Sequence, residues 1–219
     1  MEYDKDYWEY QKKGGEIGGT LNLFKFEQHI KQQDTVLDFG CGGGFLLEKI
    51  DCVNKMGFEV NDHAIARARH FGLNVTNNWD DIEDESIDKI ISNHALEHIL
   101  DPHETLKKLY KKLKPNGYLI FVLPCEQFGQ MEFFYKEDDN NQHVSSWCPQ
   151  SLGNLVKFSG FKVLSCDTLH HSWTHDWDTS YTDPDYHDRC IKHSKEHGVF
   201  QLKVCLLYTS PSPRDRQKS

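Results

Sequence analysis

Residues Val36-Leu37-Asp38-Phe39-Gly40-Cys41-Gly42-Gly43-Gly44 are followed by an apolar run that ends on the acid Glu59. Val36, Leu37 and Phe39 define a short buried strand. Glycines 40, 42, 43 and 44 form a turn, and Phe45-Leu46-Leu47-Glu48-Lys49-Ile50 opens a helix. A strand, a glycine turn and a helix N-terminus in that order can bring backbone N–H groups against a ligand, because glycine permits the closest approach. An acid at the tip of the second strand can accept hydrogen bonds from both hydroxyls of a ribose. The pattern implies an α/β fold with a nucleoside site.

Which nucleoside is decided by two residues. The dinucleotide signature needs three glycines as G-x-G-x-x-G; Gly40 and Gly42 fill two, but Phe45 stands at the third. Asp38 would also set a carboxylate beside a pyrophosphate, so a NAD-dependent oxidoreductase is the weaker reading. Asp38 suits a cation. The order Asp38-x-Gly40-x-Gly42 followed by Glu59 resembles the class I S-adenosylmethionine-dependent methyltransferases. Three further segments fall in that family's order: Asp88–Ile99 with its Leu96-Glu97-His98 string, Leu113-Lys114-Pro115-Asn116-Gly117 leading into an apolar strand, and a late helix ending Phe158-Ser159-Gly160-Phe161.

The resemblance spans about residues 35–164 and implies S-adenosyl-L-methionine as cofactor. It implies that Asp38, Gly40, Cys41 and Gly42 hold the methionine end and that Glu59, with Val60, holds the ribose. Asn93 would face the cofactor from the end of the fourth strand. Trp79 falls in the loop that cradles adenine in this family, where it either stacks on the base or packs in the core.

The implied fold is a doubly wound, mostly parallel seven-stranded sheet, Rossmann-like, with an antiparallel terminal strand. Strands are expected at 35–39, 55–60, 73–76, about 88–93, up to Val122, 162–166 and 199–204, alternating with helices as in a parallel sheet. Residues 1–204 read as one domain. Within it, 1–30 form an aromatic N-terminal segment with a helix over 21–30, serving as a lid over the cofactor or packing on the sheet edge. Residues 125–148 and 167–198 are long substrate-side insertions, and connections of that length in a compact domain are usually functional. Residues 205–219 read as a non-native tail.

The chain carries a net charge of −9, and the 205–219 tail contributes +2 of opposite sign. A surface this acidic disfavours nucleic acid as a partner. The lysines at 107, 108, 111, 112 and 114 lie opposite an apolar stripe of Leu106, Leu109 and Leu113, which is the pattern of a solvated helix face. No apolar run reaches membrane-span length, and seven cysteines without a C-x-x-C pair fit a cytoplasmic setting. The oligomeric state is not encoded in any motif.

The implied reaction is methyl transfer to a small-molecule acceptor, with oxygen favoured. A hydroxyl acceptor needs a base, and histidine suits that role. His94, just beyond the fourth strand, is the first candidate and His143 the second; no metal site is assigned. His94-x-x-Glu97-His98 also fits an inverted zinc-protease pattern, which requires a helix over 94–98. The alternative within the fold is a catalytically silent nucleoside-binding protein.

Overall fold

The computed structural model describes residues 4–125, 135 and 142–209. Seven strands form one sheet: β1 (Thr35–Phe39), β2 (Asn54–Phe58), β3 (Asn74–Thr76), β4 (Ile87–Asn93), β5 (Leu113–Cys125), β6 (Lys162–Leu169) and β7 (Phe200–Leu207). Their order is β3-β2-β1-β4-β5-β7-β6. The first five run parallel, and β7 lies antiparallel between β5 and β6. The helices are α1 (Lys5–Leu21), α2 (Phe45–Lys49), α3 (Asp62–His70), α4 (Pro102–Lys112), α5 (Pro149–Phe158), α6 (Trp177–Ser180) and α7 (Tyr186–His197).

The strands are apolar in consecutive positions because both sheet faces are covered. Leu37, Ile90, Leu119 and Phe121 pack on one face with Leu106 and Leu109 of α4 and Leu152 and Val156 of α5. Val36, Ile91, Ile120 and Val122, one residue out of phase, pack on the other face with Phe26 and with Leu46 of α2. Helix starts follow from capping: the Asn61 side chain accepts from His63 N at 2.9 Å, and Asp101 accepts from Glu104 N at 3.0 Å ahead of Pro102. Asn116 sits at φ +65° in the turn within β5, a conformation that asparagine tolerates better than most residues.

Three expectations change. The helix expected over 21–30 is instead two short 3-10 turns, Leu23–Lys25 and Glu27–His29. Lys25 and Phe26 are both buried, Lys25 in the cavity described below and Phe26 against the sheet, and the chain turns to bury both neighbours. The long helix lies earlier, at α1, and runs through Gly14, Gly15, Gly18 and Gly19. Three of them are packing glycines: a Cβ at Gly19 would lie 2.5 Å from Phe45 O, one at Gly15 2.8 Å from the Phe45 ring and one at Gly18 3.1 Å from the Trp173 ring, whereas one at Gly14 would meet nothing within 4 Å. Finally, the fold does not end at Val204. β7 continues through Leu207, Leu206 is fully buried, and Tyr208 N donates to Gly117 O at 2.9 Å. Alternation of buried Leu202, Val204 and Leu206 carries the strand past the predicted boundary.

Most of the first predicted insertion, 126–134 and 136–141, and the tail from 210 lie outside the described residues. The second insertion starts later than expected, because β6 extends to Leu169. It carries α6 and α7, and Tyr186 and Cys190 pack on Leu21 of α1.

Candidate functional site

The C-terminal ends of β1, β2 and β4 open onto a cavity of about 580 Å³, closed on other sides by α1 and by residues 172–173 and 199–201. Asp38, Gly40, Cys41, Gly42, Glu59, Val60, Asn93 and His94 all line it. Two other residues singled out from the sequence do not. Trp79 lies behind Phe58, with ring centroids 4.2 Å apart, and belongs to the core packing. His143 rests against His98, centroids 4.9 Å apart, so that His98 rather than His143 faces the cavity.

The glycine turn works differently from the sequence expectation. Four of its N–H groups are spent within the protein: Gly40 and Cys41 donate to Phe58 O at 2.9 and 3.2 Å, Gly42 donates to Glu59 Oε2 at 2.8 Å, and Gly44 donates to Cys41 O at 2.9 Å. These four are therefore not free to cradle a phosphate, which weakens the dinucleotide reading further. The glycines serve shape instead. Gly40, Gly42 and Gly44 have φ of +72°, +53° and +80°, and a Cβ on Gly40 would fall 2.4 Å from Ala95 Cβ. The turn and the loop after β4 are thereby brought into contact at the cavity floor.

Both acids are fixed. Glu59 Oε1 accepts from Val60 N at 2.7 Å and Asn61 N at 2.9 Å, which together with Gly42 gives its carboxylate three backbone donors. A carboxylate has about four acceptor positions, so capacity remains for a ligand hydroxyl. Asp38 is 2% exposed, and burial together with the Glu59 charge pushes its carboxyl up to about 7. Among the described residues no Lys or Arg pairs with it. A buried acid in this position is matched by a cationic ligand, which would draw its pKa back down.

His94 adopts φ +55°, and its Nδ1 lies 3.5 Å from Oε1 of the fully buried Glu97. Its side chain keeps 37% of its surface accessible, on the cavity side. Surrounding protein and the Lys25 charge pull the imidazole down to about 3, so it is neutral at physiological pH. Residues Leu96–His98 form a 3-10 turn, and the helix that a zinc-protease pattern would need over 94–98 is replaced by that turn. Glu97, His98 and His143 bring one potential ligand atom each to within 4.8 Å of one another.

Of the two readings of the aromatic N-terminal segment, the cavity-facing one describes Tyr7 and Trp8, while Gln11, Lys25 and Gln201 were not singled out in the sequence. Tyr7, Trp8 and Gln11 of α1 form a cavity wall, with Trp8 stacked on Phe45 at 6.2 Å. Glycines spaced four apart, 14 with 18 and 15 with 19, were the available signal, since that spacing is a helix face. Lys25 and Gln201 also line the cavity, the Lys25 ammonium donating to Gln201 Oε1 at 2.7 Å and Asn93 Oδ1 at 3.3 Å.

Strand order, a buried acid on β1 without a basic partner among the described residues and a backbone-held acid beyond β2 fit an α/β protein with a nucleoside site at its strand ends. Sequence comparison gives the same answer more narrowly: residues 7–166 match the family described as a methyltransferase domain. The chain belongs to that family, within the class I S-adenosylmethionine-dependent methyltransferases. It is 32% identical over 169 residues to a ubiquinone biosynthesis O-methyltransferase of Coxiella burnetii, covering 66% of this chain and 72% of that one. It is 27% identical over 150 residues to a malonyl-[acyl-carrier protein] O-methyltransferase of Marinomonas sp., covering 62% of this chain and 56% of that protein's length. In fold it is similar to a SAM-dependent methyltransferase from Archaeoglobus fulgidus, with TM-score 0.66 and 18% identity over 93% of this chain and 100% of the other. Among the described residues no helix is long and apolar enough to cross a membrane.

Proposed function

We propose that this chain transfers a methyl group from S-adenosylmethionine to an oxygen of a small-molecule acceptor. The observation that carries the reading is Asp38: a buried acid, without a basic partner among the described residues, on the wall of the same cavity as Glu59. The cofactor supplies a methyl group on a positively charged sulfur that leaves as a neutral sulfide. Asp38 neutralises the cationic amino-acid end and Glu59 accepts from the ribose, while Gly40, Cys41, Gly42, Val60 and Asn93 shape the surface between them. The protein's main contribution is alignment of donor and acceptor, which can supply roughly 7–11 kcal/mol.

For a hydroxyl acceptor, His94 takes the proton as the new C–O bond forms. With a pKa of about 3 it does so in transit, and it works best on oxygens that are already acidic. His143 acts at most through His98. The 170–199 segment, which reaches the cavity at Ser172 and Trp173, selects the acceptor. The setting is cytoplasmic, a reading supported by seven cysteines that are all free thiols.

Calorimetric titration of S-adenosylmethionine into the full chain tests this reading, with Glu59→Ala beside it. Saturable binding weakened by roughly 1.5–3 kcal/mol in the variant is expected, the range of a hydrogen bond to a charged group. A folded wild type that does not bind the compound would refute the proposal.

A further inference from the structure

Methyl transfer as described makes no use of the histidines in the 170–199 segment, yet three of them gather beside α7. The His193 and His197 rings stack with centroids 4.3 Å apart, and His175, on the stretch before α6, meets the His193 ring edge-on at 5.6 Å. Residues four apart share a helix face, so the first contact follows from the sequence. The second is made by the fold. Both ring nitrogens of His193 are buried, and among the described residues neither makes a hydrogen bond. A neutral imidazole carries one N–H and one lone pair, so a donor and an acceptor are both left without a partner there, at a cost in free energy.

His197 already has the bonding of a ligand. Its Nδ1 lies 3.0 Å from the His193 carbonyl oxygen. A carbonyl oxygen only accepts, so Nδ1 carries the proton and Nε2 of the neutral ring keeps its lone pair. Metal-ligating histidines are held in this way, one nitrogen donating to a carbonyl and the other facing the ion. The stretch that carries His175 is fixed against α7 independently of the histidines: Arg189 Nη1 donates to Asp176 Oδ2 at 3.1 Å, and Ser180 Oγ donates to the same oxygen at 2.7 Å. The cluster also stands at the C-terminal end of α7, where the helix dipole favours positive charge.

We propose that His175, His193 and His197 bind a divalent metal ion of the zinc class, each through one imidazole nitrogen. Three imidazoles with water in the fourth position form a tetrahedral donor set that suits zinc and not magnesium or calcium, which take oxygen. Nitrogens on a tetrahedral zinc stand roughly 3.4 Å apart, from bonds of about 2.0–2.1 Å. The rings now stack and cross rather than converge, and centroid separations of 4.3 and 5.6 Å leave side-chain rotation as the movement required. Coordination gives one buried nitrogen of His193 its partner. It also ties the stretch containing Trp173, which lines the cavity two residues before His175, to α7. The site is separate from Glu97, His98 and His143, and it stands whether or not the chain transfers methyl groups.

Calorimetric titration of the full chain with zinc chloride, in a buffer that does not chelate the ion, tests the site. His175→Gln and His197→Gln remove one ligand each at exposed positions, and His143→Gln is the control for the other cluster. Without metal, both ligand variants should melt with wild type. The expected result is a zinc ion whose affinity falls by about tenfold or more in each ligand variant and is unchanged in His143→Gln. Magnesium chloride should give no binding at this site, and zinc should raise the melting temperature of wild type more than that of either ligand variant. Hydrogen exchange at residues 172–176 should slow on addition of zinc to wild type and not to His175→Gln. The proposal is overturned if the wild type binds no zinc, if its zinc is lost in His143→Gln alone, or if either ligand variant that melts with wild type also binds zinc as tightly.

Discussion

Replacing Asp38 by Asn should make the ligand-free protein more stable and the ligand-bound protein worse. The Asp38 carboxyl lies at about 7 in the fold because burial and the Glu59 charge both oppose its ionisation. In the unfolded chain it titrates near the ordinary value of 3.8. A folded-state pKa above the unfolded one costs nothing at pH values below 3.8. The cost then grows as pH rises toward 7 and is constant beyond it. At 1.36 kcal/mol per pH unit the full cost is about 4 kcal/mol at pH 8 and below about 2 kcal/mol at pH 5. Asn has no such ionisation, so the stability of Asp38→Asn relative to wild type should rise by about 2–3 kcal/mol between pH 5 and pH 8. Urea unfolding followed by tryptophan fluorescence at the two pH values measures this difference. Groups that titrate alike in both proteins cancel. S-adenosylmethionine should reverse the order, because its cation stabilises the carboxylate and not the amide. A stability difference that is flat with pH would refute the reasoning, and so would one that falls as pH rises.

Two further outcomes follow from the same floor of the cavity. Gly40→Ala must place a Cβ 2.4 Å from Ala95 Cβ at φ +72°, so a loss of at least about 2 kcal/mol is expected, with cofactor affinity falling alongside; an unchanged melting temperature would show that the turn and the loop after β4 do not press together. His94→Asn keeps a residue that tolerates the φ of +55°, so the melting temperature should hold, while methylation of hydroxyl acceptors drops by roughly 10²–10⁴ and methylation of carboxylates changes little. Rates measured on one acceptor of each kind would decide it.

The sheet was legible because its signals are local and repeated. Val36, Leu37 and Phe39 before the glycines announce a strand and its end through their own chemistry. The acids Asp38 and Glu59 could be picked out for the same reason, standing at fixed places beside strand ends. What stayed hidden depends on contacts between distant segments. Gly15 and Gly19 of α1 resemble turn residues until Phe45, in the next helix, is seen lying against them. The amides of the glycine turn looked available until Phe58 O and Glu59 closed over them. Trp79 had two readings in the sequence, and its place behind Phe58 is set by the packing of β1 and β2.

Lys25 shows why that division falls where it does. In the sequence it is one lysine among several, between Phe24 and Phe26, and nothing local separates it from a solvated one. Its character comes from β4 and β7, which deliver Asn93 and Gln201 to the same point from positions 68 and 176 residues away. Neutral amides hold such a charge in place without cancelling it. The strands that build the cofactor side are consecutive in the chain's first half, and a motif can capture them. The opposite side is assembled from Lys25, Asn93 and Gln201, and no single stretch of residues records it.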